Sequence, residues 1–146
     1  MKKLLSFSLL LAIVGCSNSS ITESLDYTPS FSHDYDEVGE RFIAWESLFD
    51  INKDWYFGYV FSYTCGHCQN IKNEVIEYSL NHDNFYFVEY SKDIPILATV
   101  EETINQTDIQ YVGILGTPSL LEVYNKVLIK NVAGEKEILK IIAKPA

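Results

Sequence analysis

The chain has 146 residues, 47% of them apolar, and a formal charge of −9 at pH 7. That length fits one domain plus processing or linker sequence, and eight Phe, ten Tyr and two Trp supply a packed core, which excludes disorder for the bulk of it. The acidic balance excludes nucleic acid as a partner, because no Lys/Arg stripe exists to neutralise phosphates, and it opposes attraction to an anionic membrane surface.

The chain opens with MKKLLSFSLLLAIVGCSNSS. Lys2 and Lys3 precede an apolar stretch from Leu4 to Val14, followed by Gly15 and Cys16. Such a stretch is too short for a membrane-spanning helix, which takes about 20 residues, and it suits the apolar region of an export signal. The segment Ile13-Val14-Gly15-Cys16 resembles the lipobox of bacterial lipoproteins, in which the cysteine is acylated (with palmitate, for example) and becomes the first mature residue. The resemblance implies a signal peptide over residues 1–15, lipidation of Cys16, and an extracytoplasmic protein anchored to a bacterial membrane. An ordinary secretory signal with a chance cysteine is the alternative. Loss of Lys2 and Lys3 would take the charge from −9 to −11. Two acyl chains hold such a protein stably where one is marginal, and export places it where disulfides persist.

Residues 16–35 are rich in Ser and Thr without a sustained apolar period, and read as the lipidated N-terminus and a flexible tether of roughly 25 Å average reach. From residue 36 onward a folded domain is predicted. Val38, Phe42, Trp45 and Phe49 recur at i, i+4, i+7 and i+11, the spacing of an amphipathic helix. DWYFGYVFSY (54–63) is aromatic and β-branched and reads as a buried strand. Ile71, Val75 and Tyr78 mark one face of a second helix. NFYFVEYS (84–91) is a second strand, and residues 95–108 are compatible with a helix. TPSLLEVYN (117–125) and KVLIKNVAG (126–134) read as two strands joined by a tight turn at Asn125-Lys126, and Ile138, Ile141 and Ile142 mark a closing helix. The order is α-β-α-β-α-β-β-α, which predicts an α/β fold: a mixed sheet of about four strands with helices on both faces.

Between the first strand and the second helix lies C-G-H-C. A pair at this spacing serves as a redox reagent, as half of a metal site, or as a structural staple. If Cys16 carries lipid, Cys65 and Cys68 have only each other or a partner protein to pair with. Zinc needs two further ligands, and the other histidines, His33 and His82, are not at ligand spacing, so neither metal nor cofactor is expected. A staple closing so short a loop restricts the unfolded chain little.

Over residues 36–146 the chain resembles the thioredoxin family. Three features carry the resemblance: C-G-H-C where a core strand gives way to a helix; YVGILGTPSLLEVYN, similar to the segment that places a cis-proline opposite the dithiol; and KVLIKNVAGEKEI, similar to the last strand, glycine break and helix. The resemblance implies a thioredoxin fold, with Cys65 as attacking thiolate, Cys68 as resolving thiol and Pro118 as the cis-proline. It also implies that Gly116 and Thr117 bind extended substrate by a short β-augmentation.

The chemistry of the residues agrees with those roles. The thiolate is the nucleophile, and at a helix N-terminus Cys65 faces unpaired N–H groups and the positive end of the dipole. A protonated His67 would add a nearby positive charge, and the Gly-His dipeptide is the one found in protein disulfide isomerase. The implied function is a thiol–disulfide oxidoreductase acting on exported proteins or peptides, with a membrane redox partner. The alternative is an accessory or binding lipoprotein for peptide export or assembly, with little turnover. Two departures stand out. The buried carboxylate that many members carry six residues before the first cysteine is Tyr59 here, leaving an inward-pointing Glu89 or water to move protons. The preceding tryptophan is Thr64.

Overall fold

The structure, a computed structural model, describes residues 32–143. The expected signal peptide, Cys16 and most of the expected tether lie outside the described residues. The sheet is assembled on strand β1 (Trp55–Phe61), buried from Tyr56 to Phe61. It reads as a continuous apolar run because it has a neighbour on each side and both of its faces are covered. Strand β2 (Phe85–Glu89) lies parallel to it on one side. The hairpin of β3 (Ser119–Tyr124) and β4 (Val127–Ala133) lies antiparallel on the other, giving the order β2-β1-β3-β4. The hairpin turns at Asn125 and Lys126, with φ of 48° and 65°. Two successive left-handed residues are what a two-residue turn needs to match the strand twist.

Alternation along β1 sends its side chains into two layers. Phe57, Tyr59 and Phe61 pack with Phe85 and Phe87 against the helical side, formed by α1 (Gly66–Asn70), α2 (Lys72–Asn81) and α3 (Glu135–Ile142). Tyr56 and Val60 point into the opposite layer with Val88, Leu121 and Val123, under Trp45, Leu48, Ile94, Val112 and Ile114. That second layer is roofed by 3-10 turns and loops, among them Trp45–Ser47, Glu101–Thr103 and Ile109–Tyr111.

Two predicted helices are not α-helices. Residues 36–49 form two 3-10 segments, Tyr35–Arg41 and Trp45–Ser47, with Val38 already non-helical at φ −120° and ψ 20°. Between them Phe42 turns extended and bridges Phe87, and the Ile43 N–H donates to the Phe87 carbonyl at 2.9 Å. The chain covers the outer edge of β2 instead of continuing as a helix, which removes an exposed sheet edge. Val38 and Phe42 thereby go to one layer, Trp45 and Phe49 to the other.

Residues 95–108 likewise pair with the chain at both ends. Leu97 donates to the Ile114 carbonyl and Ile114 to that of Pro95. Further on, Asn105 donates to the Leu128 carbonyl and Leu128 to that of Gln106, at the edge of β4. Backbone groups engaged in this way are not free for a helical ladder.

The folded part also begins before residue 36. Tyr35, placed in the tether by sequence, is buried and stacks on Phe61 with ring centroids 4.1 Å apart. The His33 N–H donates to Asn73 Oδ1 of α2 at 3.0 Å.

Candidate active site

Strand β1 ends at Phe61, and four residues later Cys65 stands at the N-cap of α1 with φ −83° and ψ 114°. An N-cap side chain meets the first unpaired N–H groups of its helix. Here the acceptor is sulfur: the Cys68 N–H donates to Cys65 Sγ at 3.2 Å. Both cysteines are free thiols. Cys65 is half-buried, whereas Cys68, one turn on, is buried within the helical layer.

Across from the dithiol runs the loop Gly116–Ser119, in which the Thr117–Pro118 peptide bond is cis. The Cys65 thiol donates to the Thr117 carbonyl at 3.3 Å. The buried Ser119 closes the loop by donating its hydroxyl to the Gly116 carbonyl at 2.6 Å. The residues singled out at 65, 68, 116, 117 and 118 are therefore brought together.

The two thiols are electrostatically unlike. Burial acts to raise the Cys65 thiol, but hydrogen bonds from the Cys68 side chain, Thr117, and the Cys68 and His67 backbone outweigh it and hold the thiol below its ordinary value. Burial pushes Cys68 up to about 12, reinforced by the neighbouring Cys65 and only partly offset by the Ser62 backbone and Thr117. One thiol is set to ionise and the other to stay protonated. Iodoacetamide should therefore label Cys65 first, with a rate–pH midpoint below that of an ordinary thiol, and leave Cys68 unmodified at neutral pH. Peptide mass spectrometry across pH 5–9 checks this, and equal labelling of both cysteines would contradict it.

His67 is arranged differently from its expected use. Its Nδ1 lies 2.6 Å from Glu135 Oε1 on α3, and Asn70 Nδ2 donates to the same oxygen at 2.9 Å. The histidine side chain is 76% exposed. What residue 67 brings to the Cys65 sulfur is its backbone N–H, while its imidazole ties α1 to α3. Glu135, Asn70 and Ser119 were not singled out in the sequence. Ser119 had a readable signal, a hydroxyl just after a turn-forming Thr-Pro, but the partners of His67 lie too far away in sequence to be found locally.

Glu89 is exposed, so it does not supply the inward carboxylate that the sequence left open. Tyr59 is fully buried instead. Among the described residues no group of three or more His, Cys, Asp or Glu is placed to hold a metal ion. His33 bonds Asn73 and Glu37, and His82 stacks on Tyr78 at 3.9 Å. No helix among them is long and apolar enough to cross a membrane. Beside the dithiol an open groove of about 320 Å³ is lined by His67, Thr117, Pro118, Gly134, Glu135 and Lys136.

The strand order, the parallel pairing of β1 with β2, the helix after β1 and the cis-proline loop facing it together define an α/β thioredoxin fold with a dithiol at its helix N-terminus. No protein-family model and no curated protein matches the chain. Solved structures similar to it include a thioredoxin of Plasmodium falciparum (17% identity, 73% of this chain and 99% of that one, TM-score 0.49). Others are the short form of thioredoxin f from spinach chloroplast (16%, 70% and 88%, 0.48) and the thioredoxin of Schistosoma mansoni (18%, 73% and 96%, 0.44). At these identities the likeness is one of fold.

Proposed function

We propose that the chain is a thiol–disulfide oxidoreductase, exported and anchored to a bacterial membrane through lipidated Cys16, that exchanges disulfides with exported proteins or peptides. The observation that carries the reading is the asymmetry of the dithiol: an accessible Cys65 thiol below its ordinary value, beside a buried Cys68 pushed up to about 12. A nucleophile that ionises readily and a resolving thiol held in reserve are what a two-step exchange requires. The groove beside Thr117 and Pro118 offers an extended segment backbone to pair with.

The exchange moves two electrons from the Cys65/Cys68 dithiol to the substrate disulfide. Cys65 thiolate attacks a substrate disulfide, forming a mixed disulfide and releasing one substrate thiolate. Cys68, as thiolate, then attacks Cys65 Sγ, the Cys65–Cys68 bond forms, and the second substrate thiolate leaves and takes up a proton. A membrane redox partner would restore the starting form. The reaction runs in either direction, as its potential dictates.

The reduction potential of the Cys65/Cys68 couple, measured against glutathione, tests the oxidising direction. Donors that favour the Cys65 thiolate stabilise the reduced form, so the expected value lies nearer that of protein disulfide isomerase, about −180 mV, than that of thioredoxin, about −270 mV. A value at or below the thioredoxin figure would reverse the direction. Failure of the pair to form a disulfide at any glutathione ratio would remove the function.

A further inference from the structure

The helical layer around Cys68 contains two groups that the exchange just described does not use. The hydroxyls of Tyr35 and Tyr59 are both buried, neighbour each other, and make no well-formed hydrogen bond. A buried hydroxyl without a partner is destabilising, and here there are two in one cluster. Apart from these two phenols and Cys68, every fully buried side chain of that cluster is hydrocarbon. No carboxylate, amine or imidazole is buried anywhere among the described residues.

The rings are held in place by Phe61. Tyr35 stacks on it at 4.1 Å, and Tyr59 lies nearly parallel to it at 5.9 Å. Tyr59 is on the same face of β1 as Phe57 and Phe61, the face that Cys68 packs against. A thiolate formed at Cys68 would thus arise in an apolar layer whose only unspent side-chain donors are these two hydroxyls.

We propose that the phenols of Tyr59 and Tyr35 are positioning residues that stabilise the Cys68 sulfur, by neutral hydrogen bonding, as it ionises to resolve a mixed disulfide on Cys65. The inference rests on the exchange reading given above. Both phenols are raised well beyond the ordinary tyrosine range, first by burial and then by neighbours that include Cys68 and Cys65, so they keep their protons. They act as donors and not as bases. The Cys68 proton passes to solvent or to the departing substrate sulfur, the Cys65–Cys68 bond forms, the Cys65–substrate bond breaks, and each tyrosine ends as it began. The other titratable groups bearing on this layer are Cys65 on α1, Tyr63 after β1 and the partly buried Tyr78 on α2.

The test uses 5,5′-dithiobis(2-nitrobenzoate) with the reduced protein in single turnover. Attack by Cys65 releases one thionitrobenzoate, and resolution by Cys68 releases the second. The ratio of the second rate to the first isolates the resolving step. In Y59F this ratio should fall about tenfold at pH 7, and the pH midpoint of the second phase should rise by about one unit, the effect of one hydrogen bond to an ion. In Y35F the fall should be about threefold. Removing an unpaired hydroxyl should not lower the melting temperature, so a slower second phase in a variant of undiminished stability supports the role. A ratio and pH profile within twofold of wild type in both variants overturns it. Release of a single equivalent by wild type overturns the exchange reading and this inference with it. Two equivalents from wild type, with Y59F and Y35F both unaltered, overturn this inference alone.

Discussion

Replacing Cys65 with serine should abolish attack on a disulfide, while replacing Cys68 with serine should leave the attack and stop the reaction at a mixed disulfide. The size of the first effect follows from ionisation and access. At pH 7 a thiol at about 12 is ionised about one part in 10⁵, whereas one below 9.0 exceeds about one part in 10². In C65S the burial that raises Cys68 remains while the contribution of Cys65 is gone, so the nucleophile left is still the scarcer one. A more basic thiolate attacks faster, which returns part of that loss. The net loss should be at least about tenfold before access is considered, and Cys68 is 0% exposed. In C68S the accumulated species should be one substrate equivalent per chain, visible as an added mass that dithiothreitol removes. Attack by C65S at the wild-type rate would reverse the two roles.

This asymmetry was only half legible in the sequence. Cys65 and Cys68 straddle a strand-to-helix boundary that the aromatic run before them and the apolar spacing after them make plain. The N-cap geometry follows from that boundary. The hairpin was legible too, since Asn125-Lys126 separates two short β-rich runs. What periodicity does not carry is which layer a residue enters. Val38, Phe42, Trp45 and Phe49 have helical spacing, yet they divide between the two faces of the sheet because the chain turns extended at Phe42 and bridges Phe87 of β2. His67 shows the same limit for charge. Its nearest acid is Glu135, 68 positions away, and only the packing of α3 beside α1 makes them neighbours. Tyr35 reads as the end of a polar tether because Phe61, the ring it covers, is 26 positions further on.

That ring also fixes the largest expected loss of stability. Phe61 is fully buried and lies within 6.2 Å, centroid to centroid, of Tyr35, Phe42, Tyr59, Tyr63 and Phe87. Its backbone carbonyl accepts from the Tyr90 N–H at 2.7 Å, so the strand is held at that point and cannot easily collapse into a void. F61A should therefore cost about 3–5 kcal/mol, against a total of about 5–15 kcal/mol for a domain of this size. In urea the midpoint should fall with the slope retained, since the surface exposed on unfolding barely changes. The cavity would also open within the buried cluster that holds Cys68. Water admitted there relieves the burial that pushes this thiol up to about 12, so Cys68 should become alkylatable near neutral pH in F61A while remaining inert in wild type. A midpoint shift worth less than about 1 kcal/mol would show that the aromatic layer re-closes around the missing ring. A large shift with Cys68 still inert would show that the void stays dry, and that exclusion of water from the resolving thiol does not depend on Phe61.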